Sequence, residues 1–158
     1  MIAPNKKHLL VFGPGYTAGY IARRAQHEGW HVSASYRDAD KAPALAAQGF
    51  SPTALDRASL EAVLPSVTHI LSSVAPGPEG DPILPLMESL SGQLTTARWL
   101  GYLSSTNVYG DHGGAWVDEE TPTNPSLDRG IRRVAAETRW QDLADALAIP
   151  LHVFRLAG

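Results

Sequence analysis

The stretch LLVFGPGYTAGYIARR, Leu9 to Arg24, decides the fold. With His8, its first residues make the apolar run HLLVF (8–12), which reads as a buried strand. Glycines follow at 13, 15 and 19, and YTAGYIARRAQHEG (16–29) then carries helical spacing. Ala18, Ile21, Ala22 and Ala25 fall on one face of that helix, and Gly29 is placed to stop it. A strand that turns through glycines directly into a helix is the first part of a βαβ unit.

The same alternation continues along the chain. HVSASYR (31–37) reads as a second strand, ADKAPALAAQG (39–49) as a short helix interrupted by Pro43, and FSPTALD (50–56) as a weaker third strand. RASLEAVLP is a helix ending near Pro65, and THILSSVA (68–75) a fourth strand followed by the Pro- and Gly-rich loop PGPEGDP. A helical stretch runs from about Ile83 to Leu90, with room to resume before Trp99. GYLSSTNVYG (101–110) holds a fifth strand, and the long loop 111–126 leads to a helix from about Asp128 to Leu147. LHVFRLA (151–157) is a sixth strand. Strands alternating with helices predict an α/β fold: a Rossmann-like, doubly wound parallel sheet of about six strands with right-handed crossovers, residues 1–158 forming one domain. No fixed-period repeat is present, which argues against a solenoid.

Composition narrows the class. A chain of 158 residues, 44% hydrophobic and 18% charged, has the balance of one globular domain rather than a disordered segment. The net charge of −3 and the absence of a long basic block point away from nucleic acid. There is no cysteine, so disulfides and thiolate chemistry are excluded. The apolar run near the N-terminus is too short for a signal peptide or a membrane span, so the expectation is a soluble, cytoplasmic protein. The six histidines show no metal-ligand spacing, and no metal is expected.

Gly13-Pro14-Gly15-Tyr16-Thr17-Ala18 fits G-x-G-x-x-G/A in the context the motif requires. Gly13 would permit the tight turn, Gly15 the close approach of a pyrophosphate, and Ala18 close helix–strand packing, with phosphate at the helix N-terminus. Tyr16 and Thr17 belong to the same turn, and Ser73, near the end of the fourth strand, is placed with the cofactor. The alternative is a tight βα turn that holds no ligand. An acidic residue about 20 positions on would bind the ribose of NAD, and an Arg the 2′-phosphate of NADP. The second strand ends SYRD, so Arg37, with Ser35 nearby, favours NADP over NAD; Asp38 in the acidic role is the alternative. Asp56 suits either the adenine edge or the N-cap of the helix that follows it.

YLSSTNVYGDHGG (102–114), together with the glycine turn and Glu137 in RRVAAE, resembles the extended and atypical short-chain dehydrogenase/reductase superfamily, most of all its NAD(P)-dependent epimerase/dehydratase-like branch. The resemblance spans essentially the whole chain. It implies a nicotinamide lying near the ends of the fourth and fifth strands. It also implies a Ser or Thr there that orients the substrate oxygen, and a Tyr-x-x-x-Lys pair on the next helix for proton transfer. Ser105 matches the first position, four before Tyr109; the competing role is a strand-end hydroxyl capping backbone.

The pair is missing. Counting from Glu137, its positions hold Arg129 and Arg133; no Tyr follows Tyr109 and no Lys follows Lys41. Arginine does not give up its proton. Arg133 would instead hydrogen-bond ribose hydroxyls or a substrate carboxylate, and Arg129 an anionic substrate or phosphate; the alternative for both is a solvent-facing charge near Asp118, Glu119 and Glu120. Tyr109, Asp111 and His112 are other acids near the site, with Tyr109 implied by the resemblance to be structural.

The family usually continues past the sixth strand into a substrate-binding lobe, which is expected to be absent here, whether the chain is a fragment or a minimal cofactor domain. The expectation is therefore an NADP-dependent oxidoreductase, epimerase or dehydratase acting on a small molecule, or its cofactor-binding half. The alternative is a sensor that binds NADP(H) without turnover. The resemblance also allows a homodimer.

Overall fold

The computed structural model describes residues 7–157. Six strands, His8–Phe12 (β1), His31–Tyr36 (β2), Ser51–Ala54 (β3), His69–Ser72 (β4), Trp99–Ser105 (β5) and Leu151–Leu156 (β6), form one sheet in the order β3-β2-β1-β4-β5-β6. Every pairing is parallel. Five helices connect them: Tyr16–His27 (α1), Ala42–Ala47 (α2), Arg57–Val63 (α3), Leu84–Ser89 (α4) and Asp128–Leu147 (α5).

Crossover handedness distributes the helices. The chain steps one way from β1 to β3 and then back past β1 to β4, β5 and β6. Right-handed connections therefore place α1 and α2 on one face and α3, α4 and α5 on the other. The two cores follow this division. Leu9, Val11, Val32 and Ala34 meet Ala18 and Ala22 of α1 and Leu45 of α2. Leu10, Phe12, Ile70, Leu100 and Tyr102 meet Leu60, Leu84, Met87 and Trp140 on the other side. All five residues of β1 are buried, as a central strand covered on both faces requires.

Several local expectations change. Pro43 does not interrupt a helix; it sits in the first turn of α2, where its missing N–H costs nothing. Ile21 is 40% exposed rather than part of the α1 core face, which is made by Ala18, Gly19 and Ala22. The second helical stretch does not resume before Trp99; only a single 3-10 turn, Ser91–Gln93, lies between α4 and β5. The loop 111–126 carries no helix or strand. The order reverses between β1 and β4, and ligands of such sheets lie at the carboxyl ends of the strands flanking that point.

Candidate functional site

At the carboxyl end of β1 the chain turns at Gly13, whose φ of +71° favours glycine. Its N–H donates to the Ser35 hydroxyl on β2 at 3.3 Å, and its carbonyl accepts from the Ser73 hydroxyl beyond β4. The turn is thus tethered to both neighbouring strands across the switch point. A Cβ at Gly13 would come within 3.0 Å of a Val74 methyl, so the close approach is real.

Gly15 differs. Its φ of −78° suits any residue, and a Cβ there would meet only the Gly13 carbonyl, at 4.0 Å. Neither backbone nor packing within the described residues requires glycine at this position. It faces open space at the start of α1, whose first turn has no side-chain cap and no acidic residue. Free N–H groups at such an end suit an anion. Thr17 and Tyr16 are exposed beside it, Tyr16 at 82%, while Ala18 is buried against the sheet.

A cavity of about 210 Å³ adjoins this turn, lined by Gly13, Ser35, Tyr36, Arg37, Leu55 and Val74. It joins the glycine turn to Arg37, which is exposed at the end of β2. The contributions of Leu55 and Val74 carried no sequence signal, because each enters from a different strand end. Asp56 caps α3: its carboxylate accepts from the Ser59 N–H at 2.9 Å and from the Ser59 hydroxyl at 3.0 Å.

The second half of the site lies at the ends of β5 and β6. Ser105 is half-buried, and its hydroxyl accepts a long bond from the Asn107 N–H at 3.4 Å. Ser104 points the other way, buried, and donates to Glu137 on α5. Glu137 also accepts from Arg155 on β6 at 2.9 Å, and Arg155 donates to the Tyr109 hydroxyl at 3.0 Å. Arg155 was not singled out in the sequence; its pKa is raised further by the Glu137 carboxylate. Tyr109 is buried in this network, while Asp111 accepts from the Gly113 N–H and His112 donates to the Tyr109 carbonyl, so these two form no dyad. A cavity of about 530 Å³ opens at the ends of β5 and β6, lined by Thr106, Tyr109, Asp118, Glu119 and Arg155.

Arg133 is half-buried on α5. One nitrogen of its guanidinium donates to the Tyr102 hydroxyl at 3.1 Å and to the Leu103 carbonyl at 2.9 Å. The buried Tyr102 phenol is pushed up to about 12, chiefly by desolvation. Arg129 is exposed at the start of α5, with no hydrogen bond or ion pair among the described residues. Also among the described residues, no group of acidic and histidine side chains is arranged to hold a metal, and no helix is long and apolar enough to cross a membrane.

The tethered glycine turn and the strand order define a Rossmann-like, doubly wound parallel sheet. The chain is similar over 97% of its length, at 44% identity and a TM-score of 0.84, to a conserved protein of unknown function from Silicibacter pomeroyi, of which it covers 53%. It shares its fold with a UDP-glucuronic acid 4-epimerase of Bacillus cereus solved with NAD (17% identity, TM-score 0.73, 94% of this chain and 55% of that one). It also shares it with vestitone reductase of alfalfa (17% identity, TM-score 0.75, 96% and 56%). The chain thus spans a little over half the length of these structures. No protein-family model matches the sequence, and no curated protein matches it.

Proposed function

We propose that this chain binds a nicotinamide dinucleotide along the carboxyl ends of β2, β1, β4 and β5, and is the cofactor-binding half of an oxidoreductase or epimerase. The observation that carries this reading is Gly15, a glycine that neither its own φ nor its neighbours call for. A pyrophosphate against the uncapped start of α1 accounts for it. Gly13, Tyr16, Thr17 and Ala18 complete the turn, and Ser73 holds its far side. Arg37 would take a 2′-phosphate through the cavity it shares with Gly13, which favours NADP over the NAD found in the epimerase structure. When bound, the nicotinamide supplies hydride transfer at its C4; the protein supplies position and electrostatics. Ser105 would orient a substrate oxygen at the end of β5, and Arg129, exposed at the start of α5, would take an anionic substrate or phosphate.

Arg133 favours a second reading. The position that would hold the proton-transfer lysine is occupied by an arginine committed to Tyr102 and Leu103. A protein that binds NADP(H) as a sensor, without turnover, needs no such group. Ser105→Ala separates the two readings, since it slows turnover of NADPH by a carbonyl substrate and leaves a sensor's affinity unchanged. The dinucleotide reading itself is tested by Gly15→Val in a calorimetric titration. The expected result is loss of NADPH binding with an unchanged melting temperature; unchanged affinity overturns the reading.

A further inference from the structure

The loop that leaves β4 touches the cavity beside the glycine turn twice. Val74 on its outgoing leg and Pro82 on its return leg both line that cavity, together with Arg37 and Leu55. Between them Gly77 and Gly80 exchange two backbone hydrogen bonds, at 2.9 and 3.0 Å, which close the tip of the loop. The outgoing leg is fastened to the glycine turn, where the Ser73 hydroxyl donates to the Gly13 carbonyl.

The return leg has its own anchor in Asp81, a carboxylate only 3% exposed. One oxygen accepts from the Ile83 N–H at 2.8 Å, and the other accepts from the Trp140 indole N–H at 2.8 Å. No ion pair among the described residues reaches it. A carboxylate taken out of water is costly unless its oxygens are hydrogen-bonded, and both of these are. The first bond closes an Asx turn at the entry to α4. The second spans 59 residues to a fully buried tryptophan of α5, which also stacks on Tyr102. Pro82 lies between two buried residues, Asp81 and Ile83, and is itself exposed. With both neighbours held and its own φ fixed by the ring, it is a rigid part of the cavity wall.

We infer that Asp81 is a positioning residue for the cofactor. Through its bond to Trp140 it holds Pro82, and with it the wall of the cavity that takes the adenosine-2′-phosphate end of the dinucleotide. The inference rests on the dinucleotide reading above, because Arg37 and Gly13 share that cavity. An amide at position 81 would serve the Asx turn alone, since it has one acceptor oxygen; a carboxylate is needed only where both bonds are made at once. The loop thereby ties α5 to the glycine turn, with Ser73 at one end and Asp81 at the other.

The test uses Asp81→Asn, Trp140→Phe and the double variant, titrated calorimetrically with NADPH and with 2′,5′-ADP, which carries only the adenosine end. Asp81→Asn keeps the Ile83 bond and turns its NH2 group to the indole N–H; Trp140→Phe removes that N–H and keeps an aromatic ring in the core. Each single variant weakens both ligands by about fivefold or more. The double variant loses no more than the worse single one, as a shared bond requires. Hydrogen exchange separates this from a general loss of stability: the Gly77, Gly80 and Ile83 amides exchange about tenfold faster in both single variants, while those of Leu10 and Val11 keep wild-type rates. Trp140→Phe carries the test if Asp81→Asn does not fold. Unchanged affinity, additive losses in the double variant, or unchanged exchange at 77, 80 and 83 overturn the inference and leave the dinucleotide reading standing. A wild-type chain that binds neither ligand overturns both.

Discussion

Gly15 and Asp56 each stand at the start of a helix, and they are opposite in kind. Asp56 supplies its own carboxylate to α3, whereas Gly15 leaves the start of α1 open. Asp56→Ala should therefore cost about 1 kcal/mol of stability, read from a urea midpoint. The cap was one of the two roles its place after β3 allowed, and it depends on where Ser59 points. Arg133 was less legible still. Its spacing from Glu137 gave no sign that Tyr102, 31 residues earlier, accepts a hydrogen bond from its guanidinium. Arg133→Met strands the Tyr102 hydroxyl and should cost about 1–3 kcal/mol, seen as a lower melting temperature. His8 carried no functional signal, yet it is fully buried between Ser33 at 2.8 Å and Ser66 at 3.1 Å, with His31 edge-on. Desolvation, then the neighbouring His31, lowers its pKa from 6.5 to about 4. Between those values the unfolded chain takes up a proton that the native state refuses, so stability falls as pH drops from about 6.5 towards 4. The loss should approach 3 kcal/mol in urea unfolding, and His8→Asn should flatten the profile.

At the scale of elements, Glu137 joins three of them. From α5 it accepts from Ser104 on β5 and from Arg155 on β6, which in turn holds Tyr109. Residues 104 and 155 are register partners, so the network ties adjacent strands to the helix that crosses between them. Glu137→Ala leaves Arg155 without its charge partner in a half-buried site and should cost about 3–5 kcal/mol in equilibrium unfolding. Arg155→Met in the same background should recover part of that loss. The elements themselves were legible because each has a strong local pattern: the HLLVF run, the 20-residue α5 and the featureless loop before it all lie where the sequence placed them. What failed were positions decided by neighbours. Ile21 reads as core by spacing, but it lies 40% exposed on α1.

At the scale of the molecule, the alternating pattern was enough to predict a doubly wound parallel sheet, and the strand order brings the tips of β1, β2 and β4 together. The exposure of His152, Phe154 and Leu156 along β6 was not legible, since it depends on which elements cover that strand. The tips of β1, β2 and β4 carry the central claim: a tethered glycine turn, an open helix start and one arginine sharing a cavity with that turn. The most direct measurement is a pair of calorimetric titrations of the purified chain, with NADPH and with NADH, at one fixed salt concentration. NADPH should bind with 1:1 stoichiometry and at least tenfold more tightly than NADH, with that preference lost in Arg37→Ala. Heat from neither nucleotide at millimolar concentration would contradict the assignment of this turn to a dinucleotide.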